Sequence, residues 1–219
     1  AHTEIEGTQE LGNIMHIGRQ IRTSNNSEDY LNNLLELNNK SIRSYGKSYI
    51  DDTHWARQEK CFFIDKMPNN FPHIGLIKMI LPNAKIIDAR RNPMDGCFSC
   101  FKQYFAKGQH FTYDLDDIAR YYKDYLKIMD FWNSYFPGSI HTVMYEDVIE
   151  NPKSEVKSMI DFLGLDFQQS CLSFYESKRP VKTASSEQVR QPIYKSALNY
   201  WKNFDIDLIE LKKHFPEYE

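Results

Sequence analysis

The residues best suited to chemistry in this sequence are cations and hydroxyls placed beside turns. Arg91 follows the run Ile86-Ile87-Asp88-Ala89-Arg90, and Ser99 stands in the helix that Asn92-Pro93 opens. A guanidinium and a hydroxyl so placed can hold one phosphate between them. Read alone, the stretch is equally an ordinary αβ crossover with surface arginines. Lys66 comes just after the apolar run Cys61-Phe62-Phe63-Ile64, in Asp65-Lys66-Met67-Pro68-Asn69-Asn70. It is either a surface lysine or a phosphate contact, and its place at the end of an apolar strand favours the contact. Glu10 follows the Gly7-Thr8 turn. It either serves the dipole of its helix from the first turn or acts as a general base, and the residue alone does not decide. Ser185 and Ser186 lie in a basic, hydroxyl-rich stretch, 178–194, with Lys178, Arg179, Lys182 and Arg190. Tyr194, Leu198, Tyr200 and Trp201 anchor its far end, so an ordered lid closing over an anion is expected.

These side chains need strand ends and helix starts to carry them. Ile86-Ile87 reads as a buried strand, and Asn92-Pro93 as the start of a helix, since proline fits the first turn. The helix should present free backbone N–H groups and a positive dipole end, a ready anion site. Cys61–Ile64 reads as a strand buried on both faces. A helix is expected over 9–21, with Glu10 in its first turn. Ser27-Glu28-Asp29-Tyr30 opens another in capping style, with Tyr30, Leu31, Leu34, Leu35 and Leu37 as its apolar stripe. Further helices are expected over 71–81, 115–136 and 152–163, the last closed by Gly164, and a strand over 140–145. Strands and helices alternate, which implies a parallel α/β sheet. Cys97-x-x-Cys100 lacks a second pair for zinc and the context of a redox motif; with Phe98 and Phe101 beside them, both read as small core residues.

With 219 residues, 41% of them apolar, the chain can bury one sizeable core and reads as one domain over 1–219. A formal net charge of −3 argues against a general nucleic-acid binder, so an anionic ligand needs a local basic pocket. No run approaches the ~18 apolar residues of a membrane span, no secretory leader opens the chain, and four cysteines suggest no disulfide framework. The expected location is cytoplasmic.

Four motifs occur in one order: Asp65–Asn70; Asp88-Ala89-Arg90-Arg91-Asn92-Pro93 through Ser99; Val143-Met144-Tyr145-Glu146-Asp147; and Ser186 through Tyr194. In this order and spacing the chain resembles the sulfotransferases. It is most similar to the branch of bacterial sulfotransferase domains, often fused to tetratricopeptide repeats, and protein-tyrosine sulfotransferases. The resemblance covers the chain from Ala1 to about Trp201. It implies a P-loop-type three-layer α/β fold with a central, mostly parallel sheet. It also implies transfer of the sulfuryl group of 3′-phosphoadenosine 5′-phosphosulfate (PAPS) to a hydroxyl or amine, leaving adenosine 3′,5′-bisphosphate (PAP). Arg91 and Ser99 resemble the family's 3′-phosphate pair, and Tyr145 a residue near the nucleotide. Lys66 and Ser185 match groups that stabilise charge on the leaving phosphate. Ser186, Gln188, Val189, Arg190 and Tyr194 match the segment that closes over the nucleotide, and Glu10 the catalytic base of the protein-tyrosine branch.

The departures are also informative. The family's phosphosulfate loop normally precedes the segment resembling Ala1-His2-Thr3, so the sheet is expected to be incomplete at its N-terminus and the chain inactive as given. Three basic positions of the protein-tyrosine branch are Gly12, Gln103 and Tyr200 here, so the resemblance does not extend to binding an acidic peptide. The acceptor stays open among carbohydrate, peptide tyrosine, lipid and small molecule; no metal is required. The alternatives are a non-catalytic nucleotide-binding or interaction module and a nucleotide kinase-like enzyme.

Overall fold

Parallel strand pairs carry the fold, as the alternation of strands and helices implies. The computed structural model describes residues 1–24, 29–58, 60–105, 108–177, 188–193 and 195–218. The chain divides into two compact units, Ala1–Lys85 and Ile86–Glu219. The division precedes a strand and has no Gly- or Pro-rich linker to announce it in the sequence.

In the first unit, β1 (Ile5–Gly7) pairs in parallel with β2 (Phe62–Ile64), Glu6 opposite Phe63. Helix α1 (Asn13–Arg22) buries Ile14, Ile17, Gly18 and Ile21, one stripe of a helix. It starts later than the sequence suggests, because both the N–H and the hydroxyl of Thr8 donate to the Ile64 carbonyl, at 3.3 and 2.7 Å. That keeps the chain extended past β1, so Glu10 lies in the connection and not in a first helical turn. Asp29 caps α2 (Tyr30–Leu35) by accepting from the Leu31 and Asn32 N–H groups; Ser27 lies outside the described residues.

The expected stripe on α2 is not its buried face. Leu31 and Leu35 are 66% and 84% exposed, whereas Asn33 is buried and donates to the Ile21 and Arg22 carbonyls. A side-chain amide there satisfies the open C-terminal carbonyls of α1, and this outweighs burial of the leucines. Helix α3 (Asn39–Asp52) packs on α4 (Ile74–Ile80), which follows a 3-10 turn over Pro68–His73. Strand β2 is half-buried rather than buried on both faces, with Ile64 largely exposed. Its only strand neighbour among the described residues is β1.

In the second unit, β3 (Ile86–Arg90) pairs in parallel with β4 (Ile140–Met144), and Arg90 lies opposite Met144. Ile87 is exposed, and the buried residue of β3 is Asp88. Its carboxylate accepts from Arg90 Nε at 2.6 Å, from the Tyr125 hydroxyl and from the Thr142 hydroxyl. A buried carboxylate is tolerable only with such partners. Helix α5 (Pro93–Lys102) inserts Met94, Cys97 and Phe98 into a core shared with α6 (Leu115–Tyr135) and with Trp201, Leu208, Leu211 and Phe215. The last two of these residues belong to α9 (Ile209–His214) and the position just after it. Cys97 meets the core expectation, and burial pushes its thiol up to about 12. Cys100 does not: it is exposed. Helix α7 (Tyr145–Glu150) follows β4 directly, and α8 (Pro152–Leu163) ends at Gly164, which adopts the left-handed conformation at φ 76° as a C-cap. No helix among the described residues is long and apolar enough to cross a membrane.

Candidate functional site

The second unit assembles its site at the carboxyl ends of β3 and β4. Because Arg90 pairs with Met144, the next residues, Arg91 and Tyr145, emerge side by side. The Arg91 guanidinium lies over the Tyr145 ring, 5.0 Å from its centroid. Arg91 Nη2 donates to the Ala197 carbonyl at 2.6 Å, while Nε is buried without a hydrogen-bond partner among the described residues. The backbone of Arg91 is fixed too, its carbonyl accepting from the Tyr122 hydroxyl at 2.8 Å. Burial raises the Tyr122 pKa to about 12, so this hydroxyl remains a donor.

The helix start itself is not open to an anion, contrary to the expectation of free N–H groups. Asn92 Oδ1 accepts from the Met94 N–H at 2.9 Å and the Asp95 N–H at 3.4 Å. Glu146 Oε1 accepts from the Asn92 N–H at 2.9 Å. The capping side chains occupy the donors that an anion would use, so any phosphate contact here falls to side chains. Ser99 qualifies by position. The Arg91 side chain lies against Gly96, where a Cβ would sit 3.9 Å from its own Cβ. Ser99 is three residues further along α5 and therefore on the same face; it is exposed. Ser99 thus lies on the face of α5 that the Arg91 Cβ approaches.

The first unit brings together Glu10 and Lys66, which are far apart in sequence. The Thr8 contacts run the chain along the end of β2, and Lys66 Nζ meets Glu10 Oε1 in an ion pair. Both side chains are about half exposed, 59% for Lys66 and 48% for Glu10. An ion pair this open contributes roughly 0–1 kcal/mol, so the fold does not depend on it and both groups are accessible. Asp65, beside Lys66, accepts from the Tyr49 hydroxyl at 2.8 Å, and burial raises its pKa. His2 is buried, with Nδ1 accepting the Glu4 N–H.

Of the remaining expected site residues, Ser185, Ser186 and Tyr194 lie outside the described residues, as do Lys178, Arg179 and Lys182. Gln188, Val189 and Arg190 form a short 3-10 turn; the Gln188 side chain is not described, and Arg190 donates to the Ser177 carbonyl. Sequence reasoning missed three contributors around Arg91: Asp95, the Ala197 carbonyl and Glu146 as a partner of Asn92. The Asn92-Pro93 pair signals the cap, but no local pattern signals contacts that join residues 54 to 106 positions apart.

Known proteins resemble this arrangement over most of its length. The model of the Sulfotransferase family matches residues 4–169. An uncharacterized protein of Aquifex aeolicus (strain VF5) is 35% identical over 176 residues, 78% of this chain and 23% of that protein. The membrane-associated sulfotransferase kil1 of Dictyostelium discoideum is 27% identical over 88 residues, 40% of this chain and 18% of that protein. The chain therefore spans less than a quarter of the length of these curated relatives. Among solved structures, a sulfotransferase domain from the curacin biosynthetic pathway superposes with a TM-score of 0.57 at 15% identity, over 92% of this chain and 82% of that one. A sulfotransferase domain from the Synechococcus PCC 7002 olefin synthase gives 0.56 at 17% identity, over 97% and 93%. At such identities the likeness speaks to the α/β fold; the family match, which covers most of the residues, speaks to descent, and the chain belongs to the Sulfotransferase family.

Proposed function

We propose that this chain supplies nucleotide-binding and proton-transfer residues for PAPS-dependent sulfuryl transfer to an acceptor hydroxyl or amine. The observation that carries the reading is Arg91: a guanidinium at the carboxyl end of a parallel strand, stacked on Tyr145, with a buried Nε that has no partner among the described residues. Ligands of open α/β sheets bind at such strand ends. The residues fit a nucleotide bearing a 3′-phosphate, since Arg91 supplies charge and unpartnered N–H, and Ser99 an exposed hydroxyl on the helix face that the Arg91 Cβ approaches.

When bound, PAPS supplies an electrophilic sulfuryl group and a leaving nucleotide. The chain's own residues bind, orient and move one proton. Glu10 takes the proton from the acceptor hydroxyl as its oxygen bonds to sulfur, the carboxylate being open to solvent and fixed beside β2. Lys66 would offer its ammonium to the charge that gathers on the leaving phosphate. The resemblance assigns Ser185 the same duty, and Ser186, Gln188, Val189, Arg190 and Tyr194 contact with the nucleotide. The acceptor is a carbohydrate, peptide tyrosine, lipid or small molecule.

Calorimetric titration with PAP and with adenosine 5′-monophosphate tests the reading. Tighter binding of PAP, abolished in Arg91→Ala, is expected. Equal affinity for the two nucleotides in the wild-type protein would sink it.

A further inference from the structure

Asp95 is an unusual first-turn residue. It is only 3% exposed, whereas a carboxylate serving the dipole of its own helix can do so from the surface. Burying a carboxylate is costly unless hydrogen bonds satisfy it. Here Oδ2 accepts from the Asn199 N–H at 2.7 Å and Oδ1 from the Trp201 N–H at 3.1 Å. These N–H groups open the 3-10 turn Tyr200–Phe204, and Asn199 before it is held in the left-handed region at φ 54°. Asparagine reaches that region more readily than other non-glycine residues, whereas a β-branched residue is strained there.

The segment so gripped is the one that holds Arg91. Two residues before Asn199, the Ala197 carbonyl accepts from Arg91 Nη2. Arg91, just before α5, and Asp95, in its first turn, therefore both hold the 197–201 segment. The Arg91 guanidinium is fixed between the Ala197 carbonyl and the Tyr145 ring. A long side chain loses considerable freedom when it binds a ligand, and one already oriented loses less.

We infer that Asp95 is a positioning residue for nucleotide binding, acting through the 197–201 segment to orient the Arg91 guanidinium toward the 3′-phosphate. This rests on the reading of Arg91 as the phosphate-binding arginine. Asp95 contributes direction, not charge: without it Arg91 keeps its cation but loses the carbonyl that aims it.

The test measures the affinities of PAP and adenosine 5′-monophosphate for the full-length protein by calorimetry. Wild type is compared with Asp95→Asn, Asn199→Val, Asn199→Gly and the double variant Arg91→Ala/Asp95→Asn. Asparagine at 95 keeps the shape but sets an amide group against one of the two donors. Asn199 is exposed; valine there resists positive φ and loosens the same segment while sparing the buried carboxylate, should Asp95→Asn fail to fold. Glycine accepts positive φ and serves as the control. The preference for PAP should fall roughly tenfold in Asp95→Asn and in Asn199→Val, the scale of one charge-assisted hydrogen bond. Affinity for the monophosphate should not change, and Asn199→Gly should match wild type. Hydrogen exchange in residues 195–204 should quicken in the two impaired variants. In the Arg91→Ala background Asp95→Asn should have no further effect on the preference, because its action runs through Arg91. A merely structural role would weaken both nucleotides alike. A wild type without preference for PAP would overturn the reading of Arg91 itself. A preference present in wild type and undiminished in Asn199→Val, despite quickened exchange, would overturn this inference alone.

Discussion

Arg91 and Glu10 are the two side chains on which the proposed chemistry turns, and they differ in kind. Arg91 is half-buried and fixed by Tyr145 and Ala197, so its contribution is directional. Replacing it with alanine should weaken PAP by roughly 1.5–3 kcal/mol, the worth of a hydrogen bond to a charged group, and leave adenosine 5′-monophosphate untouched. Lysine should recover only part of this, since it lacks the planar fork; full recovery, read by calorimetry, would mean that charge alone matters. Glu10 is half exposed, and its ion-pair partner among the described residues is Lys66. Glu10→Gln keeps size and hydrogen bonding while removing the base. Single-turnover assays should show kcat lower by about 10²–10⁴-fold with nucleotide affinity intact. A variant within a few-fold of wild type would place the base elsewhere.

At the scale of elements, close backbone approach and one histidine make the packing of the first unit testable. A Cβ on Gly46 of α3 would lie 2.3 Å from the Ile80 carbonyl oxygen of α4. That neighbour is backbone and cannot swing away, so Gly46→Ala must push the helices apart. A destabilisation of about 1–3 kcal/mol is expected, the range for overpacking. It should be visible as a lower denaturant midpoint with an unchanged slope. An unaltered midpoint would mean that the two helices are not held at this distance. Gly18 on α1 admits the ring of His73 in a similar way, its absent Cβ lying 2.9 Å from the imidazole. Burial, with the Arg22 charge adding to it, lowers the His73 pKa below its ordinary 6.5, and Tyr30 shares a hydrogen bond with Nδ1. Folding thus favours the neutral imidazole. The stability from this preference is complete above the unfolded pKa and is lost as pH falls through the depressed folded value. His73→Gln should flatten the acid side of the stability–pH curve below the ordinary histidine pKa of 6.5. An acid limb as steep as in wild type would assign that loss to other groups.

For the molecule as a whole, binding and stability are linked. A ligand at a hundred times its Kd adds about 2.7 kcal/mol to the folded state. For a chain of this size PAP should therefore raise Tm by roughly 5–10 °C. Adenosine 5′-monophosphate at the same concentration should raise it less, and Arg91→Ala should bring the two shifts together. Identical shifts in the wild type would argue that no group in the molecule reads the 3′-phosphate. A net charge of −3 makes this a local matter: the anion is drawn by a few placed donors and not by the molecule's overall field.

Local chemistry was legible from the residues alone. The spacing of Ile14, Ile17 and Ile21 marks the buried face of α1, Asn92-Pro93 marks the start of α5, and Gly164 marks the end of α8, because each depends on neighbours within a turn or two. The alternation of short apolar runs with helical stretches was enough for a parallel α/β fold, and the order of the motifs was enough for the family. Burial was less legible. Leu31 and Leu35 carry the pattern of a core face and lie exposed, while Asn33, Asp88 and Asp95 are buried, because partners beyond their own turn or strand, Tyr125 and Thr142 for Asp88, satisfy their polar atoms. Pairing was not legible at all. Glu10 meets Lys66 because Thr8 clips onto the end of β2; Tyr145 lies under Arg91 because Arg90 pairs with Met144; Asp95 finds Asn199 only once α5 and the C-terminal segment share a core. Periodicity groups side chains by face, but strand register and core packing decide which face is buried and what it meets. That selection is made by tertiary structure, since its energy lies in contacts between segments that carry no local mark of one another.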